Sequence, residues 1–132
     1  MTYSIVARDP QTGFFGIAVA SRFFAVGGIV PHIRPSTGAI ATQAFVNPLY
    51  GIEGLKRLDA GRAPAEVAAE ILAMDGGRNQ RQFHLIDTLG RNFAHTGVEC
   101  IDWAGHLLAE NVSVAGNVLS GPQVVAVTLK TF

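Results

Sequence analysis

The chain has 132 residues and a mass of 14.0 kDa, with ten basic and ten acidic side chains and a pI near 6.9. That length holds one domain, residues 1–132, around one core, and the absence of any Lys or Arg run excludes the electrostatic footprint of a nucleic-acid binder. Hydrophobic residues make up 48% and charged residues 15%, a balance that calls for strands buried on both faces or for apolar surface covered by self-association.

Thr2–Asp9 reads as a strand, with Tyr3, Ile5 and Ala7 on one face and Thr2, Ser4 and Arg8 on the other. Asp9-Pro10-Gln11-Thr12-Gly13 is a turn. Phe14–Ala20 is apolar on both faces, which predicts a strand covered on both sides. It ends in Ser21-Arg22, so a hairpin returns a hydroxyl and a permanent cation to the level of Thr2. Phe23–Pro31 has no helical period and reads as a loop passing into a short extended segment up to Arg34. After the turn Ser36-Thr37-Gly38, residues Ala39–Phe45 form another buried strand.

Asn47-Pro48 opens a helix with Asn as its cap. Leu49, Ile52, Leu55 and Leu58 predict its apolar stripe, and Gly61 its end. A second helix starts at Pro64, carries Val67, Ile71 and Met74, and stops at Gly76-Gly77. Arg81–Asp87 and Asn92–Thr96 read as a hairpin. A loop and one further strand lead to Asn117, and a helix begins at Gln123. Strands, two helices, then strands again indicate an α+β layered domain.

The lone Cys100 excludes an internal disulfide framework and suits a reducing interior. Arg8 and Asp9 interrupt the first apolar stretch, so no signal peptide is read. No apolar run reaches the roughly 18 residues that span a bilayer. A cytoplasmic protein with no membrane partner is the expectation.

The chemistry concentrates at the start of the chain. Thr2 is small enough for Met1 to be trimmed, which leaves a hydroxyl nucleophile and its own α-amine as base. That amine titrates near pH ~8 and is therefore a usable base at neutral pH. Arg22 is placed to depress the pKa of that amine or to hold a substrate carboxylate. Cys100-Ile101-Asp102-Trp103-Ala104-Gly105-His106 is the densest polar and aromatic cluster: Asp102 and His106 are candidates to line a pocket with Trp103 as its wall, whereas Cys100 reads as a small buried hydrophobe. His32, His84, His95 and His106 have no metal-ligand spacing, and no phosphate or dinucleotide fingerprint occurs. No metal and no cofactor are expected.

The runs Thr2–Pro10, Ala18–Phe23, Gly38–Phe45, Asn47–Gly51, Cys100–His106 and Gly116–Gly121 together resemble a bacterial family known as domain of unknown function 1028, which is assigned to the N-terminal-nucleophile (Ntn) hydrolase superfamily. The resemblance covers essentially the whole chain. It implies an αββα sandwich and cleavage of an amide bond in a small-molecule or peptide-like substrate, with Thr2 as nucleophile. Asn117, between flexible glycines, becomes the candidate oxyanion donor, and Ser21 and Gln43 join the substrate site. A buried Gln43 serves equally well as a structural tie. Members of that family continue past the equivalent of Gly121-Pro122 with a full helix and further strands, whereas this sequence stops at Phe132. The expected sandwich is therefore incomplete or completed by oligomerisation, most simply as a two-fold dimer meeting through Ser113–Asn117 and Val124–Phe132. The alternative reading is a non-catalytic member of the same fold, a small-molecule-binding or scaffold protein.

Overall fold

The computed structural model describes residues 1–132. Two antiparallel four-stranded sheets lie face to face. The first has the order β2-β1-β8-β7, built from Thr2–Arg8 (β1), Phe15–Ser21 (β2), Gly105–Ala109 (β7) and Val112–Asn117 (β8). The second has the order β3-β4-β5-β6, built from Pro31–Arg34, Gly38–Ala44, Arg81–Asp87 and Asn92–Thr96. Helices α1 (Leu49–Asp59) and α2 (Pro64–Ala73) cover the outer face of the second sheet, and α3 (Gln123–Thr131) lies on β7 and β8 of the first. The mixed α+β class read from the order of elements holds. No helix is long and apolar enough to cross a membrane.

Strand alternation divides the core into layers. Ile40, Phe83 and Leu85 face outward from the second sheet and pack with Tyr50, Leu58, Val67, Ala68 and Ile71 of the helices. Tyr3, Ile5 and Val114 face outward from the first sheet, toward Val125 of α3. Between the sheets, Val6, Ala39, Ala41 and Ile86 form an apolar half-layer. The other half, toward the start of β1, is polar: Ser4, Gln43, Gln82, His84, Ser113 and Asn117 are all buried there.

Four details differ from the sequence expectations. Phe15–Ser21 is an edge strand, and only Phe15, Ile17, Val19 and Ser21 turn toward the other sheet; Gly16, Ala18 and Ala20 are exposed. Small apolar side chains made both faces look coverable. In α1, Leu49 and Ile52 are exposed and the sheet-facing side is Tyr50, Gly51, Gly54 and Leu58. Residues repeating every three positions drift around a helix of 3.6 residues per turn, while the glycines let α1 lie close: a Cβ at Gly54 would come within 2.5 Å of Ile40 Cδ1. Met74 is likewise exposed, because α2 ends before it. The last stretch holds two strands, β7 and β8, and β8 is paired on both sides by β1 and β7, so Ser113–Asn117 is no open edge.

Gly97 joins β6 to the loop that returns toward β7, and its N–H bonds Arg81 O at 2.9 Å. A Cβ there would overlap the backbone carbonyls of Asn79 and Arg78, which have no free rotation to escape. Gly97→Ala should therefore destabilise by at least ~1–3 kcal/mol, the usual cost of overpacking, whereas Gly16→Ala meets no atom within 4 Å and should be near neutral. Urea unfolding of both variants is the check, and equal midpoints would disprove the tight approach at Gly97.

Candidate functional site

Antiparallel register brings three strand ends together. Thr2 of β1 sits opposite Ser21 of β2 and opposite Asn117 of β8. Directly paired residues point to the same face, so the three side chains stand side by side at the polar end of the gap between the sheets. Thr2 Oγ1 lies 2.9 Å from Ser21 Oγ, and Ser21 Oγ–H donates to Met1 O at 3.0 Å. Phe23 N–H donates to the same Ser21 oxygen at 3.0 Å. With its own proton given to Met1, Ser21 receives the Thr2 hydroxyl proton.

These ends open into a cavity of about 640 Å³, within the size range of small-ligand sites. Thr2, Ser21, Arg22 and Asn117 line it on the side of the first sheet; Ala44, Phe45 and Gln80 line it on the other, with Glu99, Cys100 and Ile101 from the β6–β7 loop. A second space of about 70 Å³ lies beyond Thr2, walled by Val26, Ile29, Val30 and Val46 with Gln43 at its back. Two lining residues have left-handed backbones, Ala44 at φ 67° and Val118 at φ 53°. For a β-branched valine this is a true outlier, of the kind that costs ~1–3 kcal/mol and collects at functional sites.

Arg22 forms no ion pair and no side-chain hydrogen bond. Glu99 is held only by side-chain amides, at 3.0 Å from Gln80 Nε2. Burial pushes the Cys100 thiol up, and Cys100 Sγ–H donates to Arg81 O at 3.4 Å; it is a protonated wall residue without a base. No group of three His, Cys, Asp or Glu is arranged to hold a metal ion.

The cavity floor is a continuous polar network. Asn117 Nδ2 donates to Gln82 Oε1 at 3.0 Å, which also accepts from Gln43 Nε2 at 2.8 Å. Gln82 Nε2 donates to Gly116 O at 2.8 Å and Thr96 Oγ1 at 2.9 Å. Ser4 Oγ–H donates to Gln43 Oε1 at 2.6 Å, so it accepts from His84 Nε2–H at 2.8 Å. His84 Nδ1 then accepts from Ser113 Oγ–H at 2.7 Å. Both ring nitrogens are satisfied in the neutral tautomer. Burial, reinforced by His106, pushes the His84 pKa down to about 3.

A family model described as a family of unknown function, DUF1028, matches residues 2–132. The chain belongs to that family. Among solved structures it is similar to the crystal structure of protein SPO2555 from Silicibacter pomeroyi, of the same family, with 33% identity and a TM-score of 0.94. That match covers 98% of this chain, which spans 60% of the other chain's length. No curated protein matches.

Of the residues singled out from the sequence, Thr2, Ser21, Arg22 and Asn117 meet in the large cavity, and Gln43 lies behind Thr2 as a fully bonded tie. Asp102, Trp103 and His106 do not join them. Trp103 exchanges two backbone bonds with Leu119, at 3.2 and 3.0 Å, and its ring packs in the layer under α3. Asp102 is exposed, and His106 points between the sheets to Thr96 Oγ1 at 2.9 Å. Ser4, Gln82, His84, Ser113 and Glu99 are the residues that the sequence reading missed. The alternation Gln82–His84 was visible in Arg81–Asp87, but a polar alternate face ordinarily means solvent.

The His84 environment carries a pH signature. Its folded pKa lies below the ordinary imidazole value of 6.5, so the unfolded chain takes up a proton first as the pH falls. Stability owed to neutral His84 is complete above pH 6.5 and drains away between 6.5 and 3, with a slope approaching ~1.4 kcal/mol per pH unit. His84→Gln should be less stable at pH 7 but lose less stability between pH 7 and 5 than the parent. Parallel urea-midpoint curves for the two proteins would rule this out.

Proposed function

We propose that the chain is an N-terminal-nucleophile amide hydrolase whose nucleophile is Thr2 after removal of Met1. The observation that carries the reading is the convergence of Thr2, Ser21 and Asn117 on one rung at the mouth of a cavity of about 640 Å³. The Thr2 hydroxyl attacks the amide carbonyl, its proton passing to the freed α-amine, and an Oγ–C bond forms. The second N–H of Asn117, which has no partner within the chain, faces the developing oxyanion while the first is anchored on Gln82. The C–N bond breaks as the amine departs with the proton, and water hydrolyses the resulting ester. Arg22 supplies positive charge on the cavity wall, and the 2.9 Å contact with Ser21 orients the Thr2 hydroxyl.

The Ntn layered sandwich is part of the same proposal, supported by helices on the outer faces of two stacked antiparallel sheets. A second reading, a ligand-binding protein without chemistry, draws on the bond from Ser21 to Met1 O: with Met1 retained, the α-amine of Thr2 stays locked in a peptide bond and the cavity only binds. For assembly we propose a two-fold dimer through edge strand β2, whose exposed side carries only Gly16, Ala18 and Ala20; sedimentation at low micromolar concentration should give twice the chain mass, and a stable monomer refutes it.

Intact mass of the purified protein decides between the two main readings, since the hydrolase requires a species lacking Met1. That species should take up one equivalent of a hydroxyl-directed electrophile such as a β-lactone, and Thr2→Ala should take up none while remaining folded. Asn117→Ala should slow acylation by ~10²–10³-fold, as loss of one oxyanion donor does. Labelling that survives in Thr2→Ala would move the reactive group elsewhere and defeat the mechanism.

A further inference from the structure

The charges of the cavity are arranged in a spatial order that strand topology dictates. In the order β2-β1-β8-β7, Arg22 follows the end of β2, Thr2 begins β1 and Asn117 ends β8. Glu99 lies beyond them, on the β6–β7 loop, which is tied to the end of β8 by Val118 N–H donating to Ile101 O at 3.0 Å. The cavity wall therefore carries a cation at its β2 side and an anion on the β6–β7 loop, together with Thr2 and Asn117. Neither charge has an oppositely charged partner in the chain: Arg22 is bonded to nothing through its side chain, and Glu99 meets only amide groups. Six of the ten Lys and Arg side chains are ion-paired within the chain, among them Arg57 and Arg62 with Glu70, Arg81 with Asp75 and Arg91 with Asp87; Arg22 is the unpaired one that lines this cavity.

Two unpaired charges of opposite sign, separated by apolar walls, are complementary to a ligand that carries the opposite pair. The loop that carries Glu99 is tied to the end of β8, which is two strand spacings, ~10 Å, from β2. An extended peptide advances ~3.4 Å per residue, so two or three residues bridge the gap. Phe23, Phe45, Ile101 and Val118 supply apolar walls, and the adjoining space of about 70 Å³ behind Thr2, walled by valines and an isoleucine, admits only a small apolar side chain.

We propose that the cavity takes a short peptide free at both ends, two or three residues long with small apolar side chains, its carboxylate on Arg22 and its ammonium group on Glu99. This places a peptide bond over Thr2 and Asn117. Cleavage rests on the hydrolase reading; binding rests on the charges alone.

The test uses the Thr2→Ala protein, in which binding is read without chemistry. Trialanine, N-acetyl-trialanine and trialanine amide are titrated into the 15N-labelled protein and dissociation constants are taken from chemical-shift changes. Trialanine should bind at least ~10-fold tighter than either blocked peptide, the loss of one charge-assisted contact. Adding Arg22→Gln should erase the penalty for the amide and leave that for the acetyl group; Glu99→Gln should do the reverse. Both side chains are exposed at the rim, so the variants keep the fold, and their spectra verify it. Three peptides binding within twofold of one another, no binding at all, or penalties that fail to follow the matching charge would each overturn the proposal. Charge-matched binding without hydrolysis of trialanine by the parent protein would uphold the peptide site and refute the hydrolase reading.

Discussion

Gln82 is fully buried on β5, and its amide is bonded on every side by groups from other strands. Its oxygen accepts from Gln43 of β4 and Asn117 of β8, and its nitrogen donates to carbonyls of β8 and β7 and to Thr96 of β6. The orientation is determined by chemistry: turned over, the amide would set its N–H groups against two other N–H donors and its oxygen against two carbonyls. A buried donor or acceptor left without a partner costs ~1–3 kcal/mol. This one amide therefore holds the two sheets in a single register and, with it, fixes Asn117 beside Thr2.

The division of the interlayer into an apolar and a polar half follows from the same constraint. At one end Val6, Ala39, Ala41 and Ile86 exclude water. At the other, amides and hydroxyls satisfy one another without solvent, a low-dielectric arrangement in which each bond is strong and each omission is costly. His84 shows the consequence: burial, reinforced by His106, keeps it neutral, and Ser4 and Ser113 satisfy its two ring nitrogens in that form. The left-handed Ala44 and Val118 lie at the mouth of this half. Backbone strain there is tolerated because the strands that lead to both residues, β4 and β8, are paired on each side.

Local signals carried much of this architecture. The β1–β2 hairpin, the turns, both surface helices and the β5–β6 hairpin are all legible, and the hairpin alone puts Ser21 and Arg22 beside Thr2. The rest depends on contacts that no local pattern encodes. The β7–β8 hairpin turns at Glu110-Asn111 with Asn111 at φ 59°, without the glycine that usually marks such a turn. The inward polar face of β5 needed knowledge that the facing strands β1 and β8 are polar at the same height. Trp103 and His106 are close in sequence yet face opposite layers, because strand alternation and the pairing of Trp103 with Leu119 separate them. Glu99 gains meaning only when the loop carrying it is folded against the end of β8.

A residue at a chain end ordinarily frays, since few bonds hold it. Thr2 escapes this because β1 is interior to its sheet: the first residues of the strand pair with Ser21 and Ala20 on one side and with Asn117 and Gly116 on the other. Two residues further along, Ser4 is locked into the Gln43 and His84 network. A nucleophile that must also be an N-terminus faces opposing demands, for its amine has to be free while its hydroxyl is held within a few tenths of an ångström. In the proposed hydrolase, a terminus on a central strand would meet both, because the ladder immobilises Thr2 from two sides and removal of Met1 would leave the amine at the strand's open end. An edge strand such as β2 would offer the freedom without the positioning.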